Sequence, residues 1–195
     1  MNGNPPLVQG RIGNGLSLLG NGQYLDLGEH PNECLGNLAL CPNGITVSAW
    51  MNFQNLNDNM YILSTGNNGI RMYIKDDKLN VKVNQKNKEW YVHVPESDIG
   101  TWNYVELSWH PDFGLGLYLN NTLVAHSTFV DSVNNAPVTT TRPHVLFGKA
   151  NPGDSTDVTR TADMVVDEME VWYGRREELL AFDYILRGKY QSLIK

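Results

Sequence analysis

The chain has 195 residues and a formal net charge of −6, and hydrophobic residues make up 41% of it. This length and balance predict a folded protein with one hydrophobic core, so we expect residues 1–195 to form a single domain. The acidic balance argues against nucleic acid as a partner, and no apolar run approaches the roughly 20 residues that membrane insertion requires.

The clearest predicted strand covers residues 45–53, where apolar side chains alternate with more polar ones. A period of two is typical of a β-strand that has one face against a core. Residues 70–75 and 79–84 alternate in the same way on either side of Asp76 and Asp77, which predicts a hairpin. Further strands are predicted at 90–94, 102–109, 145–148 and 164–173.

A second hairpin is predicted between residues 114–119 and 122–127, because Asn120 and Asn121 tolerate the positive φ of a tight turn. Only residues 176–187 have apolar side chains at helical spacing, which predicts a short C-terminal helix. About a dozen short strands separated by turns indicate an all-β fold, either an antiparallel sandwich or a jelly roll.

The chain has only two cysteines, Cys34 and Cys41. Their spacing is too wide for a redox Cys-x-x-Cys pair, and no second pair completes a zinc site. A disulfide that closes a short loop fits best, with two unrelated buried thiols as the alternative. A disulfide favours an oxidising compartment, so we expect a secreted protein or the ectodomain of a membrane protein.

Six short motifs follow one another in an order that is similar to a known family. The first two are the pair GLSL (15–18) with GQYLDL (22–27), and GITVSAWM (44–51) after the cysteines. The other four are WNYV (102–105), LYLNNTLV (117–124), LFG (146–148) and VDEMEVW (166–172). On these motifs, the chain resembles the laminin G-like jelly-roll domains of the concanavalin-A-like lectin/glucanase superfamily over roughly residues 12–185.

The resemblance implies an antiparallel jelly-roll β-sandwich of two curved sheets. Members are mostly calcium-assisted recognition modules of secreted or cell-surface proteins, and they bind sugars, glycosaminoglycans or proteins. We therefore expect an extracellular adhesion module, part of a larger protein, that binds a glycan or an extracellular protein. Because some superfamily relatives are glycoside hydrolases, the alternative is a carbohydrate-active enzyme or its carbohydrate-binding accessory domain.

Asp167 has the parity of Val171 in the last predicted strand, which places its carboxylate in a row expected to face the core. A buried charge there needs a partner. In the relatives, an Asp at this place can help hold a structural calcium (Ca2+) with the opening hairpin, which here offers Asn21, Gly22 and Asp26. The alternatives are a β-bulge that turns Asp167 outward, or ordinary hydrogen bonds to its carboxylate.

A second, weaker calcium candidate consists of acidic residues in two predicted long loops. Asp131 begins the first loop, and the second loop contains Asp154, Asp157 and Asp163. Long loops are uncommon in compact domains unless they have a function. If both loops lie at one rim, the resemblance implies a functional calcium site there. Solvated acidic loops are common, and they are the alternative.

The predicted middle hairpins carry aromatic, amide and basic side chains on their outward face. Such a surface suits a sugar chain or a protein strand, and its local excess of basic side chains suits sulfated glycans. An ordinary solvated sheet face is the alternative. The candidate ligand-binding residues are Arg71, Tyr73, Lys82, Asn84, Tyr91 and His93.

Catalysis has little support in the sequence. A retaining glycosidase needs two carboxylates about 5–5.5 Å apart, whereas Glu168 and Glu170, if they share a strand face, are about 6.5–7 Å apart. The Glu-x-Asp-x-x-Glu pattern of the superfamily's hydrolases is absent from the sequence. We therefore do not expect an enzyme.

One sequence signal concerns modification. Asn120-Asn121-Thr122 is the only Asn-x-Ser/Thr triplet in the chain, and it lies at a predicted hairpin tip. Such a tip is exposed enough for the glycosylation machinery, so we expect a glycan on Asn120 in secreted material. The alternative is an unused triplet.

Overall fold

The structure is a computed structural model that describes residues 5–56, 59–65, 69–96, 99, 101–129, 131–132, 144–151 and 160–177. Within these residues the chain forms fifteen strands and one 3-10 turn, Leu38–Leu40. The strands are β1 (Leu7–Gln9), β2 (Asn14–Leu19), β3 (Leu25–Glu29), β4 (Ile45–Phe53), β5 (Met60–Ser64), β6 (Ile70–Lys75), β7 (Lys78–Gln85), β8 (Lys88–Pro95), β9 (Asn103–His110), β10 (Gly114–Leu119), β11 (Thr122–Ser127), β12 (Asp131–Ser132), β13 (His144–Phe147), β14 (Arg160–Thr161) and β15 (Asp163–Trp172).

The strands form two sheets. The seven-stranded sheet has the order β1-β2-β15-β4-β9-β10-β11, and the eight-stranded sheet has the order β12-β8-β7-β6-β5-β13-β3. β14 adds to the eight-stranded sheet by pairing in parallel with β5. The predicted all-β, antiparallel jelly-roll sandwich is confirmed, and the predicted helix over 176–187 lies outside the described residues from 178 onward.

The core lies between the two sheets, where the inward-facing residues of each strand meet. Trp90 of β8 and Trp109 of β9 come from opposite sheets, and their ring centroids are 5.2 Å apart in an edge-to-face contact. Both indoles are almost completely buried, and such aromatic pairs add about 0.5–1.5 kcal/mol beyond their buried area. Inward residues on the strands around them include Ile45, Val47, Ile70, Met72, Leu79, Val81, Leu107, Leu115 and Leu117.

Both predicted hairpins are confirmed. Asp76 and Asp77 have φ values of 53° and 55°, and Asn120 and Asn121 have φ values of 51° and 66°. Two consecutive residues with positive φ match the right-handed twist of the flanking strands, and Asp and Asn tolerate this conformation. No helix in the described part of the chain is long and apolar enough to cross a membrane.

The predicted disulfide is also confirmed. Cys34 and Cys41 are bonded, and their Cα atoms are 5.0 Å apart. The bond closes the short segment that carries the 3-10 turn, where the Asn37 side chain accepts a hydrogen bond from Ala39 N–H. Leu38, inside this loop, is fully buried and joins the core, so the disulfide holds the loop against the sandwich.

Candidate functional site

The predicted ligand-binding residues lie together on the outward face of strands β6, β7 and β8. Because Ile70, Met72 and Ile74 point into the core, their neighbours in β6 point away from it. The register between β6, β7 and β8 aligns the outward-facing residues in rows across the three strands. Arg71, Lys82 and Tyr91 form one row, and Tyr73, Asn80 and His93 form the next. We call this surface the β6–β8 face.

Hydrogen bonds hold the centre of the β6–β8 face. The Tyr91 hydroxyl donates to Asn80 Oδ1 at 2.6 Å. The amide of Asn80 in turn donates to the carbonyls of Lys75 and Lys78 at 3.0 and 2.8 Å. The Tyr91 ring is therefore fixed in orientation, and it is 37% exposed. The His93 ring lies beside it, with the ring centroids 5.5 Å apart.

Glu89, which was not among the residues predicted from sequence, also lies on the β6–β8 face. It forms an ion pair with Lys82 at 3.1 Å and accepts a hydrogen bond from Asn84 at 3.0 Å. The carboxylate of Glu89 therefore partly neutralises the predicted excess of positive charge on this face. Lys82 also lies 5.4 Å from the centroid of the Tyr91 ring, a cation–π contact.

Asn84, one of the predicted binding residues, has almost no exposed surface, and its role in binding stays a prediction. It is 2% exposed, and its amide is occupied by Glu89. The Asn84 side chain therefore contacts Glu89 beneath the surface of the β6–β8 face. Burial raises the pKa of Tyr73 to about 12, helped by the nearby Tyr91 and Glu89, so its hydroxyl stays protonated at physiological pH.

Asp167 lies at a β-bulge, which was one of the two alternatives from sequence, and its predicted place in the core-facing row is wrong. The pairing of β15 with β4 shifts register between Asp167 and Glu170, and Glu168 has a φ of 48°. Met164 and Val166 face the core before the bulge, so Asp167 is on the opposite face of the sheet.

The carboxylate of Asp167 is nevertheless buried, because the turn between β1 and β2 covers it. It accepts hydrogen bonds from Ile12 N–H at 2.8 Å and from Glu168 N–H at 2.9 Å. A Cβ atom on Gly10 would collide with this carboxylate. Asp167 therefore ties the closing strand to the turn between β1 and β2.

The other three members of the first calcium candidate have different surroundings. Asp26 lies on β3 of the eight-stranded sheet, where His144 and Gly28 N–H contact its Oδ1 at 3.1 and 2.8 Å. Gly22 N–H donates to Thr161 at 2.9 Å, and Asn21 lies in the same turn between β2 and β3. Burial acts to raise the pKa of Asp26, but the hydrogen bonds from His144 and Gly28 outweigh it and lower the pKa.

The described contacts of these residues are separate from one another. Each carboxylate oxygen of Asp167 accepts one hydrogen bond from a backbone N–H, and Asp26 belongs to the other sheet. Among the described residues, no group of three or more His, Cys, Asp or Glu side chains is arranged to hold a metal ion. Calcium binding by the protein stays a prediction.

The loop acids of the second calcium candidate are only partly described. Asp131 is in β12 at the edge of the eight-stranded sheet, and Asp163 begins β15 in the seven-stranded sheet. Asp163 accepts a hydrogen bond from the Asn55 side chain at 2.7 Å. Asp154 and Asp157 lie outside the described residues. The described part of this candidate therefore belongs to two different sheets.

Comparison with known families identifies the chain. The sequence model of the Laminin_G_3 family, described as Concanavalin A-like lectin/glucanases superfamily, matches residues 19–178. The chain belongs to this laminin G-like family. Comparison with curated protein sequences gives no significant match.

Solved structures that this laminin G-like domain resembles include binding domains of botulinum neurotoxins. A neurotoxin DC binding domain in complex with SialylT has a TM-score of 0.60 at 14% identity, over 89% of this chain and 42% of that chain. A structure of botulinum neurotoxin type C, whose cell entry depends on interaction with two ganglioside molecules, has a TM-score of 0.59 at 12% identity, over 88% of this chain and 42% of that chain. A neurotoxin DC binding domain in complex with rat synaptotagmin II has a TM-score of 0.56 at 12% identity, over 88% of this chain and 42% of that chain.

This domain spans less than half the length of these neighbours, and at such identities the similarity shows the fold alone. Their glycan and protein ligands are properties of those larger proteins. For this domain, the similarity confirms the jelly-roll architecture that the six motifs predicted.

The outward face of the seven-stranded sheet was not predicted as a site from the sequence. The segment from Gly174 to Glu177 crosses this face, and Arg176 forms an ion pair with Glu106 of β9. The backbone N–H of Arg176 donates to Ser108 at 2.8 Å, and Thr46 donates to the carbonyl of Gly174 at 2.8 Å. One local signal was present in the sequence, because β10 places glycines at alternate positions, Gly114 and Gly116, in an otherwise apolar strand.

Proposed function

We propose that this laminin G-like domain is an extracellular recognition module, not an enzyme, and that it binds a glycan or an extracellular protein through the β6–β8 face. The observation that carries the proposal is the pair of exposed rings, Tyr91 and His93, held side by side next to Lys82. The disulfide and the family membership support the extracellular location.

The fixed geometry of this face favours binding. A ring that is already held by Asn80 loses little conformational freedom when a ligand packs on it, so less binding free energy is lost to ordering. Rings with one apolar surface and a polar edge can pack on the C–H groups of a sugar while neighbouring groups bond its hydroxyls. Of the two ligand classes, this mixture favours a glycan.

The structure bears on Glu168 and Glu170, the carboxylate pair considered for the alternative role, a carbohydrate-active enzyme. Glu168 is in the bulge, and regular pairing of β15 with β4 resumes only at Glu170. The regular pleat that would place the two carboxylates on one strand face is therefore interrupted. The Trp172 indole also donates to Glu170 at 3.2 Å.

A glycan array with and without calcium, followed by affinity measurements on the hits, tests the binding proposal. Tyr91→Ala should weaken binding by at least about tenfold, as truncation of a central aromatic contact does. The matched control is Tyr173→Ala, which removes an exposed tyrosine just after β15. Equal affinity of wild type and the folded Tyr91→Ala protein would contradict a binding role of this face.

The enzyme alternative has its own test. The purified domain is incubated with polysaccharides from the hit classes, and newly formed reducing ends are measured over time. We expect no release above that of a heat-denatured control. Reducing ends formed in proportion to the protein concentration, and lost in Glu170→Gln, would establish the alternative.

A further inference from the structure

The turn between β1 and β2 folds back onto the outward face of the seven-stranded sheet. Gly10 N–H donates to the Gly13 carbonyl at 2.9 Å, which closes the turn, and Ile12 N–H donates to Asp167 at 2.8 Å. Gly13 has a φ of 71°, in the left-handed region that glycine adopts readily. The tip of the turn, Arg11 and Ile12, is therefore held in one place above the sheet.

The side chain of Arg11 lies on an aromatic pair. Ala49 and Met51 face the core, so Trp50 between them faces outward. The Arg11 guanidinium is 5.1 Å from the centroid of the Trp50 ring, and the ring of Tyr104, on the neighbouring strand β9, is 5.4 Å from Trp50. Arg11 is exposed, and no carboxylate in the described part of the chain pairs with it. Its positive charge is therefore fixed in position but not neutralised.

An exposed carboxylate lies close to this turn. Glu168 is in the β15 bulge, and its N–H donates to Oδ1 of Asp167, while Ile12 N–H donates to Oδ2 of the same carboxylate. Among the described residues, the exposed Glu168 side chain has no ion-pair or hydrogen-bond partner. The turn directs Arg11 to Trp50 and not to Glu168. This region therefore carries an unpaired cation and an unpaired anion.

The backbone that supports these two charges is energetically costly. Glu168 has a φ of 48°, a conformation that is unfavourable for residues with a side chain, and Asp167 is a buried carboxylate. Bulges and positive φ values of this kind concentrate at functional sites. Presentation of Arg11 and Glu168 on a fixed support gives these features a function.

The same region also offers apolar and aromatic surface. Ile12 is 60% exposed at the tip of the turn, and the rings of Trp50 and Tyr104 are half-buried. Trp, Tyr and Arg are enriched among the residues that contribute most to protein–protein binding. We call this surface, defined by Arg11, Ile12, Trp50, Tyr104 and Glu168, the Arg11 face.

The charge pattern of the Arg11 face favours a second copy of the same chain as its partner. In a two-fold dimer the same patch lies on both subunits, so each residue pair across the interface occurs twice. A face with one unpaired Arg and one unpaired Glu is complementary to itself under this symmetry. The chain carries a net charge of −6, so two copies repel each other except where opposite charges meet.

We propose that the domain forms a two-fold homodimer through the Arg11 face. Arg11 of each copy pairs with Glu168 of the partner subunit, and Ile12 adds apolar contact beside these pairs. The β6–β8 face is on the other sheet, so it stays free in both copies. The dimer therefore presents two β6–β8 faces, which raises the avidity for a ligand with repeated binding sites. The proposal does not depend on what that ligand is.

Sedimentation velocity of the unglycosylated chain, from about 1 to 100 μM, tests the dimer. Unglycosylated material is used because Asn120 accepts a hydrogen bond from Tyr104 N–H, so a glycan on Asn120 would lie near the Arg11 face. We expect the weight-average sedimentation coefficient to rise with concentration from that of a monomer to that of a dimer. A monomer throughout this range would overturn the proposal and leave the Arg11 face to a different protein.

Charge reversals identify the contact. Arg11→Glu and Glu168→Arg each replace both intersubunit pairs by like charges, so each should raise the dissociation constant at least about tenfold. The two substitutions change the net charge in opposite directions, so a general charge effect cannot weaken the dimer in both. An equimolar mixture of the two variants restores both pairs in the mixed dimer and should dimerise as wild type. An ion pair within one chain would be restored only when both substitutions are in the same chain.

Lys88→Glu is the matched control for Arg11→Glu. Lys88 is exposed at the start of β8 on the other sheet, and its reversal changes the net charge equally, so this variant should dimerise as wild type. Circular dichroism checks that each variant is folded, and Arg11→Gln, which removes the charge without reversing it, should also weaken the dimer. Wild-type dimerisation by a folded single reversal, or a mixture that stays monomeric, would refute the Arg11–Glu168 contact.

Discussion

Replacement of Asp167 tests whether its carboxylate is a hydrogen-bond anchor or a calcium ligand. In Asp167→Asn, one side-chain oxygen remains and an NH2 group replaces the other. That NH2 group would face a backbone donor, either Ile12 N–H or Glu168 N–H. One charge-assisted bond is lost and one buried donor is left unpaired, which costs about 2–3 kcal/mol in the free energy of unfolding.

A domain of this size loses roughly 2–4 °C in Tm for each kcal/mol, so Asp167→Asn should melt about 5–10 °C below wild type. Thermal unfolding is followed by circular dichroism in calcium and in chelator. If the carboxylate acts only through its hydrogen bonds, the decrease is the same in both. Asp163→Asn is the matched control, because it makes the same substitution in the same strand where the bond to Asn55 is exposed. It should change Tm by no more than about 2 °C.

Two outcomes would refute this reasoning. If Asp167→Asn melts at the wild-type temperature, the two hydrogen bonds do not stabilise the fold. If chelator lowers the Tm of wild type but not that of Asp167→Asn, the side chain binds calcium, and the calcium prediction from sequence is right. Gly10→Ala checks the anchor from its other side, since the added methyl group would displace the carboxylate and should also lower Tm.

Three further predictions concern other parts of the molecule. Alkylation without reductant should modify neither cysteine, and Cys34→Ser with Cys41→Ser should lower the free energy of unfolding by about 2–3 kcal/mol, measured by urea denaturation. Hydrogen bonds to the Leu27 carbonyl and to Glu33 raise the pKa of His30 above 6.5. Protonated His30 therefore stabilises the folded state fully below pH 6.5, and this contribution is lost as pH rises through the pKa of the folded protein. His30→Ala should lower the free energy of unfolding more at pH 5.5 than at pH 8.5. Secretion from eukaryotic cells should add a glycan to Asn120, and peptide N-glycosidase or Asn120→Gln should remove the added mass. Free thiols in the native protein would contradict the first prediction. An equal effect of His30→Ala at both pH values would contradict the second, and an unchanged mass after glycosidase treatment would contradict the third.

Most of the fold could be predicted because it depends on local patterns. Alternation of side chains located β4, β6 and β7 to within a residue or two, and paired Asp or Asn residues located the hairpin turns. The same alternation placed Arg71, Tyr73, Lys82, Tyr91 and His93 on one face, where the structure has them. Period and turn chemistry are properties of neighbouring residues, so they can be read from one sequence.

What the sequence could not provide depends on contacts between distant segments. The bulge at Glu168 has no glycine to mark it, and it forms where the β1–β2 turn packs over Asp167. The alternation of side chains in β7 correctly predicts that Asn84 points away from the core. It does not predict that the Glu89 side chain packs against Asn84 and buries it. The contacts of Gly174–Glu177 with the outward face of the seven-stranded sheet are likewise long-range.

The bulge in β15 also bears on how the length of this strand can change. Before it, Met164 and Val166 face the core, and after it Met169 and Val171 pack there, so the parity changes at Glu168. Deletion of Glu168 would give one continuous alternation with the same four side chains directed inward. The strand can therefore lose one residue without exchanging its two faces. A homologous sequence that is one residue shorter in this strand should be aligned with its gap at Glu168.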